Sequence, residues 1–108
     1  VKGGERLMTK KIAMSYREAF ILLVTVLSKY DVLTMINDLD QAASLVPTLR
    51  AIYNCEFHDE FTTFTASSLK RFEMRSALET IDNSIHPSDP GYSQNFKNTV
   101  QLVLQKLK

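Results

Sequence analysis

Glycine and proline are scarce in this sequence, with three of each among 108 residues. Tight turns depend on both residue types, so their scarcity leaves little room for a loop-rich or all-β protein. The glycines stand at positions 3, 4 and 91, which excludes a glycine-rich loop of the kind that cradles phosphates. Hydrophobic residues make up 44% and charged residues 23%, as in one ordinary globular domain.

Cysteine is also nearly absent, because Cys55 is the only one. A single thiol cannot form an intramolecular disulfide, which favours a reducing compartment. The longest apolar run, residues 19–27, is interrupted by Thr25 and is shorter than the ~20 residues that a membrane-spanning helix requires. We therefore expect a cytoplasmic protein without a membrane segment.

Helical patterns cover most of the chain, and the first begins at Ser15. Ser15 and Glu18 have the spacing of a capping box, in which each side chain accepts a backbone hydrogen bond of the first helical turn. The apolar residues of this helix recur at helical spacing and define the face that we expect to be buried. They are Tyr16, Ala19, Phe20, Leu23, Val24, Val26, Leu27 and Tyr30.

Further helices are predicted from their caps. Asp31 is a natural cap for a second helix, whose apolar stripe extends to the break that Pro47 imposes on the residue before it. Ser67 or Ser68 is predicted to cap a later helix, and Ser93 the last one. Short links between successive helices favour packing of neighbours along the chain.

The fold class predicted from these patterns is all-α, a single compact bundle of four or five helices over residues 15–108. Residues 1–14 are expected to form a disordered N-terminal segment. Residues 51–65 leave an alternative open, because IYNCEF and EFTTFT could pair as a short β-hairpin. We prefer helix or loop there, because a strand would place Phe61 and Phe64 on opposite faces.

Three residues have side chains suited to metal binding or nucleophilic catalysis: Cys55, His58 and His86. Cys55 and His58 are three residues apart, but a structural zinc site normally has a second clustered pair of ligands, which this sequence lacks. No nucleophile motif surrounds the thiol or any hydroxyl. We therefore predict no catalytic, cofactor-binding or metal-binding residues, and hence a protein that is not an enzyme.

A basic helix face supports an alternative function. Lys70, Arg71 and Arg75 are the candidate contacts of a nucleic-acid-binding transcriptional regulator. Glu73 and Glu79 interleave with them, as on an ordinary solvated helix face. The middle of the chain is net acidic, which would repel phosphate, so nucleic acid is the less favoured partner.

Excess apolar residues favour protein–protein interaction as the leading function. The helix that includes residues 69–81 has two apolar sides, which indicates a central position in a bundle or contact with a partner. The candidate partner surface consists of Met74, Leu78, Ile81, Phe57 and Phe61. We expect a small non-catalytic regulator, inhibitor, immunity or assembly factor that binds another protein of unknown identity and can also form a homodimer.

The first eight residues, VKGGERLM, suggest a bacterial or phage origin. Lys-Gly-Gly-Glu can be encoded by AAAGGAGGUGAA, which contains a sequence complementary to the 3′ end of bacterial 16S RNA just upstream of Met8. Translation would then begin at Met8, and residues 1–7 would be a translated ribosome-binding site. Because these residues contain two bases and one acid, their removal would lower the formal net charge from +1 to zero and further favour a protein partner.

Overall fold

A computed structural model describes residues 8–108, and within them a three-stranded antiparallel sheet packs against helices in an α/β fold. The elements are, in chain order, β1 (Lys10–Ser15), α1 (Tyr16–Met35), α2 (Leu39–Ser44), α3 (Val46–Tyr53), β2 (Glu56–Phe57), β3 (Phe61–Ala66), α4 (Ser68–Ser84) and α5 (Gln94–Lys106). The all-α bundle predicted from the sequence is therefore wrong. Residues 1–7, on which the hypothesis of a translated ribosome-binding site rests, lie outside the described residues.

Strand β1 forms within the segment that was expected to be disordered. It pairs antiparallel with β3, and the register sets Ile12 opposite Phe64 and Met14 opposite Thr62. Ile12 and Met14 are buried beneath the helices, whereas Lys11, Ala13 and Ser15 are exposed, as the alternation of a strand requires. For residues 10–14, a strand thus replaces the expected disorder.

The hairpin that the sequence left as an alternative is present, in the strand order β1-β3-β2. Glu56–Phe57 pairs antiparallel with the first half of β3. The preference for helix or loop rested on Phe61 and Phe64, which do fall on opposite faces of β3, with Phe64 buried and Phe61 exposed. The three threonines of β3 are β-branched and favour an extended backbone, and their pairing with β1 outweighs the exposure of one phenylalanine.

The caps predicted from the sequence are confirmed at three helices. Ser15 and Glu18 form the capping box at the start of α1. Ser67 caps α4, and Ser93 caps α5, each by accepting the N–H of the third helical residue. These contacts involve residues three positions apart, so the local sequence is sufficient to specify them.

Helix α1 is longer than predicted, and Asp31 lies inside it rather than at the cap of a second helix. The helix ends in a Schellman motif, in which Asn37 adopts a left-handed backbone with φ of 62° and the N–H of Asp38 donates to the carbonyl oxygen of Leu33 at 2.9 Å. Pro47 lies in the first turn of α3 and separates it from α2, as its sequence position predicted.

The hydrophobic core lies between the inner face of the sheet and the helices. Helix α1 packs against α2, α3, α4 and α5 and also against β1 and β3. The side chains at the centre of the core are Met14, Leu22, Val26, Phe64, Met74, Leu78, Val100, Val103 and Leu107. Within residues 8–108, no helix combines the length and the hydropathy needed to cross a membrane.

The buried carboxylate of Glu18 connects the start of α1 to the end of α5. Glu18 Oε1 accepts hydrogen bonds from the Ser15 N–H at 2.8 Å and from Lys106 Nζ at 2.7 Å. Burial by itself raises the pKa of Glu18, but the hydrogen bonds from Lys106 and Ser15, together with the Lys106 charge, outweigh it. The pKa of Glu18 therefore lies below its ordinary value of 4.5.

Glu18→Gln is expected to lower the free energy of unfolding by about 1 kcal/mol at neutral pH, because glutamine keeps the capping contact but loses the ion pair with Lys106. The lowered folded-state pKa means that the contribution of Glu18 is present above about pH 4.5 and is lost as the pH falls through the folded-state value. Urea denaturation at a series of pH values measures the difference, with the exposed Glu79→Gln as the control. A difference that persists unchanged into strong acid would contradict this assignment.

Candidate protein-binding surface

Helix α1 is buried mainly on the side opposite to the predicted one. Its buried residues are Glu18, Ile21, Leu22, Thr25 and Val26. Of the eight residues predicted to be buried, only Val26 is fully so, and Tyr16, Phe20, Val24 and Leu27 are exposed. Phe20 is the most exposed of these, at 65%. The helix therefore presents much of its apolar surface to solvent.

Exposed side chains four residues apart form a line along α1 that ends at its C-cap residue, Ile36. We call this line the α1 ridge: Tyr16, Phe20, Val24, Ser28, Val32 and Ile36. Residues four apart are neighbours on a helix, so the ridge is continuous over about 30 Å. Leu27 and Met35 lie beside it and are also exposed.

The hairpin extends the α1 ridge at its N-terminal end. The ring of Tyr16 stacks on that of Phe57, with centroids 6.0 Å apart and planes inclined by 19°. The hydroxyl of Tyr16 donates a hydrogen bond to the carbonyl oxygen of His58, which ties the helix to the hairpin turn. Phe57 remains 73% exposed and adds its ring to the apolar surface.

The apolar area of this surface is large for a chain of this length. Eight apolar side chains contribute to it: Tyr16, Phe20, Val24, Leu27, Val32, Met35, Ile36 and Phe57. If each presents roughly 150–200 Å² when fully exposed, their exposed fractions sum to on the order of 800 Å². The largest apolar patch of a typical monomer covers about 300–600 Å², so this surface has the size of a binding site.

The helical part of the predicted partner surface lies mostly in the core. Met74 and Leu78 are 0% exposed, so neither can contact a partner in the folded protein. Ile81 is partly buried and lines a groove of about 220 Å³ between α1 and α4, together with Val32 of the α1 ridge. The side of α4 that the sequence assigned to a partner is therefore its buried side.

The aromatic part of the predicted partner surface divides between the two faces of the sheet. The register sets Phe57 opposite the buried Thr62, so Phe57 lies on the face that the helices cover. Phe61 lies one residue from Thr62 and therefore on the outer face. There it stacks on the ring of His58 at 4.5 Å. Only Phe57 adjoins the α1 ridge.

The three basic residues of the alternative function are partly buried. Arg71 Nη1 donates to the carbonyl oxygens of Met8 at 3.0 Å and Ala66 at 2.8 Å. Arg75 Nη1 donates to the carbonyl oxygen of Leu107 at 2.7 Å, at the C-terminal end of α5 where a cation is favourable. Both guanidinium groups are therefore engaged with backbone carbonyl groups of the protein itself. Of the three basic residues, this leaves Lys70 to contact a nucleic acid.

The residues considered for catalysis are not assembled into a site. Cys55 is partly buried against the core, and in the described part of the chain no hydrogen bond joins it to His58 or His86. The Nε2 atom of His58 lies 3.2 Å from Thr63 Oγ1 on the outer face of the sheet. Among residues 8–108, no three histidine, cysteine or acidic side chains group closely enough to hold a metal ion.

The exposure of the α1 ridge could have been predicted from a pattern in the sequence that a search for one buried helix face overlooks. From Tyr16 to Ile36, every fourth residue except Ser28 is apolar. Four residues exceed one turn, so such a line advances around the helix by about 40° at each step. It therefore cannot stay against a single core, and part of it must lie at the surface.

No family model, curated protein or solved structure matches the chain.

Proposed function

We propose that this protein acts through protein–protein interaction, with the α1 ridge and the adjoining Phe57 as its binding surface. The observation that carries this proposal is the line of exposed side chains along α1, which is apolar at every position except Ser28. Burial of apolar surface contributes about 25 cal/mol per Å², so covering this surface is strongly favourable. The proposed role is that of a non-catalytic regulator, inhibitor, immunity or assembly factor.

The charges around the α1 ridge support this proposal. Arg17 and Asp31 are exposed at its border, and the ridge itself carries no charged residue. Protein interfaces commonly combine an apolar centre that is depleted in charge with a polar rim. The arrangement matches that anatomy better than it matches a phosphate-binding surface, which requires clustered bases.

The proposed setting is the cytoplasm of a bacterium or of a phage-infected cell. The bacterial or phage origin rests on the codons that residues 1–7 permit, and the compartment rests on the single cysteine. This setting supplies the lysate in which a partner is best sought.

A photo-crosslinking amino acid in place of Phe20 tests the proposed function in native lysate treated with nuclease. We expect protein adducts from this position because Phe20 lies within the α1 ridge. Leu69 on α4 is the matched control, because it is 63% exposed against 65% for Phe20 and lies off the ridge. Equal labelling from both positions, or none from Phe20, would contradict the proposed surface. Adducts that depend on intact nucleic acid would favour the alternative function.

A further inference from the structure

Two exposed residues of opposite charge are placed symmetrically about Val24 of the α1 ridge. Arg17 and Asp31 lie seven residues to either side of Val24. Positions seven apart lie on nearly the same line of a helix, so these three residues share one line. All three side chains are exposed.

We propose that the α1 ridge binds the α1 ridge of a second copy of this chain, antiparallel and related by a two-fold axis at Val24. This inference rests on the proposed function and names its partner. The axis brings Val24 against Val24 and each Arg17 against the Asp31 of the other copy. Such an interface is self-complementary, as a two-fold dimer requires.

Charge supports the same arrangement. Within residues 8–108, neither Arg17 nor Asp31 forms an ion pair, so both charges are free to face a partner. The two-fold axis sets a base against an acid on both sides of the apolar centre. A parallel pairing would bring the two Arg17 side chains together and would be repelled.

The exposed apolar area sets an upper limit on what the two-fold interface can bury, because the ridge turns around α1 by about 40° at each step. The exposed apolar side chains of the ridge and its neighbours offer on the order of 800 Å² per copy, and a standard protein interface buries about 800 Å² per partner. The borders of the ridge add polar area at the rim.

Charge reversal at the two rim positions tests the geometry directly. Arg17→Asp sets acid against acid and Asp31→Arg sets base against base, so each variant alone is expected to raise the dimer dissociation constant at least ~10-fold. Both reversals suit the dipole of α1, because an acid is favourable near its start and a base near its end, so the fold is retained. Glu79→Arg on α4 is the control and leaves the dissociation constant unchanged.

An equimolar mixture of Arg17→Asp and Asp31→Arg is expected to restore association within a few-fold of wild type, because every facing pair in the mixed dimer is then oppositely charged. The double variant with both reversals is expected to restore the homodimer for the same reason. Sedimentation velocity from about 1 µM to about 1 mM measures these species. Single variants that associate like wild type, or a mixture that stays monomeric, would overturn the two-fold arrangement.

A wild-type chain that stays monomeric throughout this range would also overturn it. If the crosslinker at Phe20 then labels a different protein, the second copy is refuted while the proposed function stands. If it labels nothing, both are refuted.

Discussion

Replacing Leu78 with alanine is expected to lower the free energy of unfolding by about 2–5 kcal/mol. Leu78 is 0% exposed and belongs to the core cluster that joins α4 to α1, the sheet and α5. Removing three carbons there loses the free energy of their burial and leaves a cavity that the surroundings fill only in part. Urea denaturation followed by circular dichroism measures the change.

Leu69→Ala is the matched control for Leu78→Ala. Leu69 lies on the same helix but is 63% exposed, so its replacement is expected to change the stability by less than about 0.5 kcal/mol. If instead Leu78→Ala left the stability unchanged and weakened association with a partner, the partner surface predicted from the sequence would be correct and the burial of α4 would be wrong.

The two apolar sides of α4 were recognisable in the sequence, but their roles were not. Met74 and Leu78 lie on the buried side, while Leu69 and Phe72 lie on the exposed side. Both sides have comparable hydrophobicity, and only the packing of α1 and α5 against α4 distinguishes them. Sequence periodicity shows that a helix has an apolar side but not which neighbour covers it.

The buried side of α1 was not predicted, because it carries a charged residue, Glu18. A glutamate is typical of a solvent-exposed helix side, yet Glu18 is buried because Lys106 in the last turn of α5 forms an ion pair with it. Lys106 is 88 residues away in sequence, so the ion pair cannot be predicted from the sequence near Glu18. A hydrogen-bonded ion pair makes the burial of such a carboxylate tolerable.

The sheet was missed for a related reason. Ile12 and Met14 carry the two-residue alternation of a strand, but the pattern is short and lies in a segment that was assigned to disorder. Strand β1 becomes stable only by pairing with β3, about fifty residues later, whereas helix caps need partners three residues away. The caps at Ser15, Ser67 and Ser93 were therefore predictable, and the pairing of β1 was not.

Val24→Arg is expected to raise the dissociation constant of the dimer about 100-fold or more. The two-fold axis would bring two guanidinium groups together at the apolar centre of the interface, where an unpaired buried charge costs several kcal/mol. Val24 is 41% exposed in the single chain, and arginine has a higher helix propensity than valine, so the free energy of unfolding of the monomer should change by less than about 0.5 kcal/mol.

Leu102→Arg on α5 provides the control, because it introduces the same charge at an exposed apolar position away from the α1 ridge. Its dissociation constant and its unfolding free energy are both expected to match those of wild type. A loss of association in Leu102→Arg as large as that in Val24→Arg would mean that any added charge prevents association. The effect of Val24→Arg would then no longer support the α1 ridge as the dimer interface.

Sedimentation velocity of wild type and Val24→Arg over the same concentrations is the most direct measurement of whether the α1 ridge binds a second copy of this chain. The wild-type chain is expected to shift from a 12.3 kDa species to one of twice that mass as its concentration rises. Val24→Arg is expected to remain at 12.3 kDa while folded. Identical sedimentation of the two proteins, whether both are monomers or both are dimers, would contradict the assignment of the α1 ridge as the surface through which two copies of this chain associate.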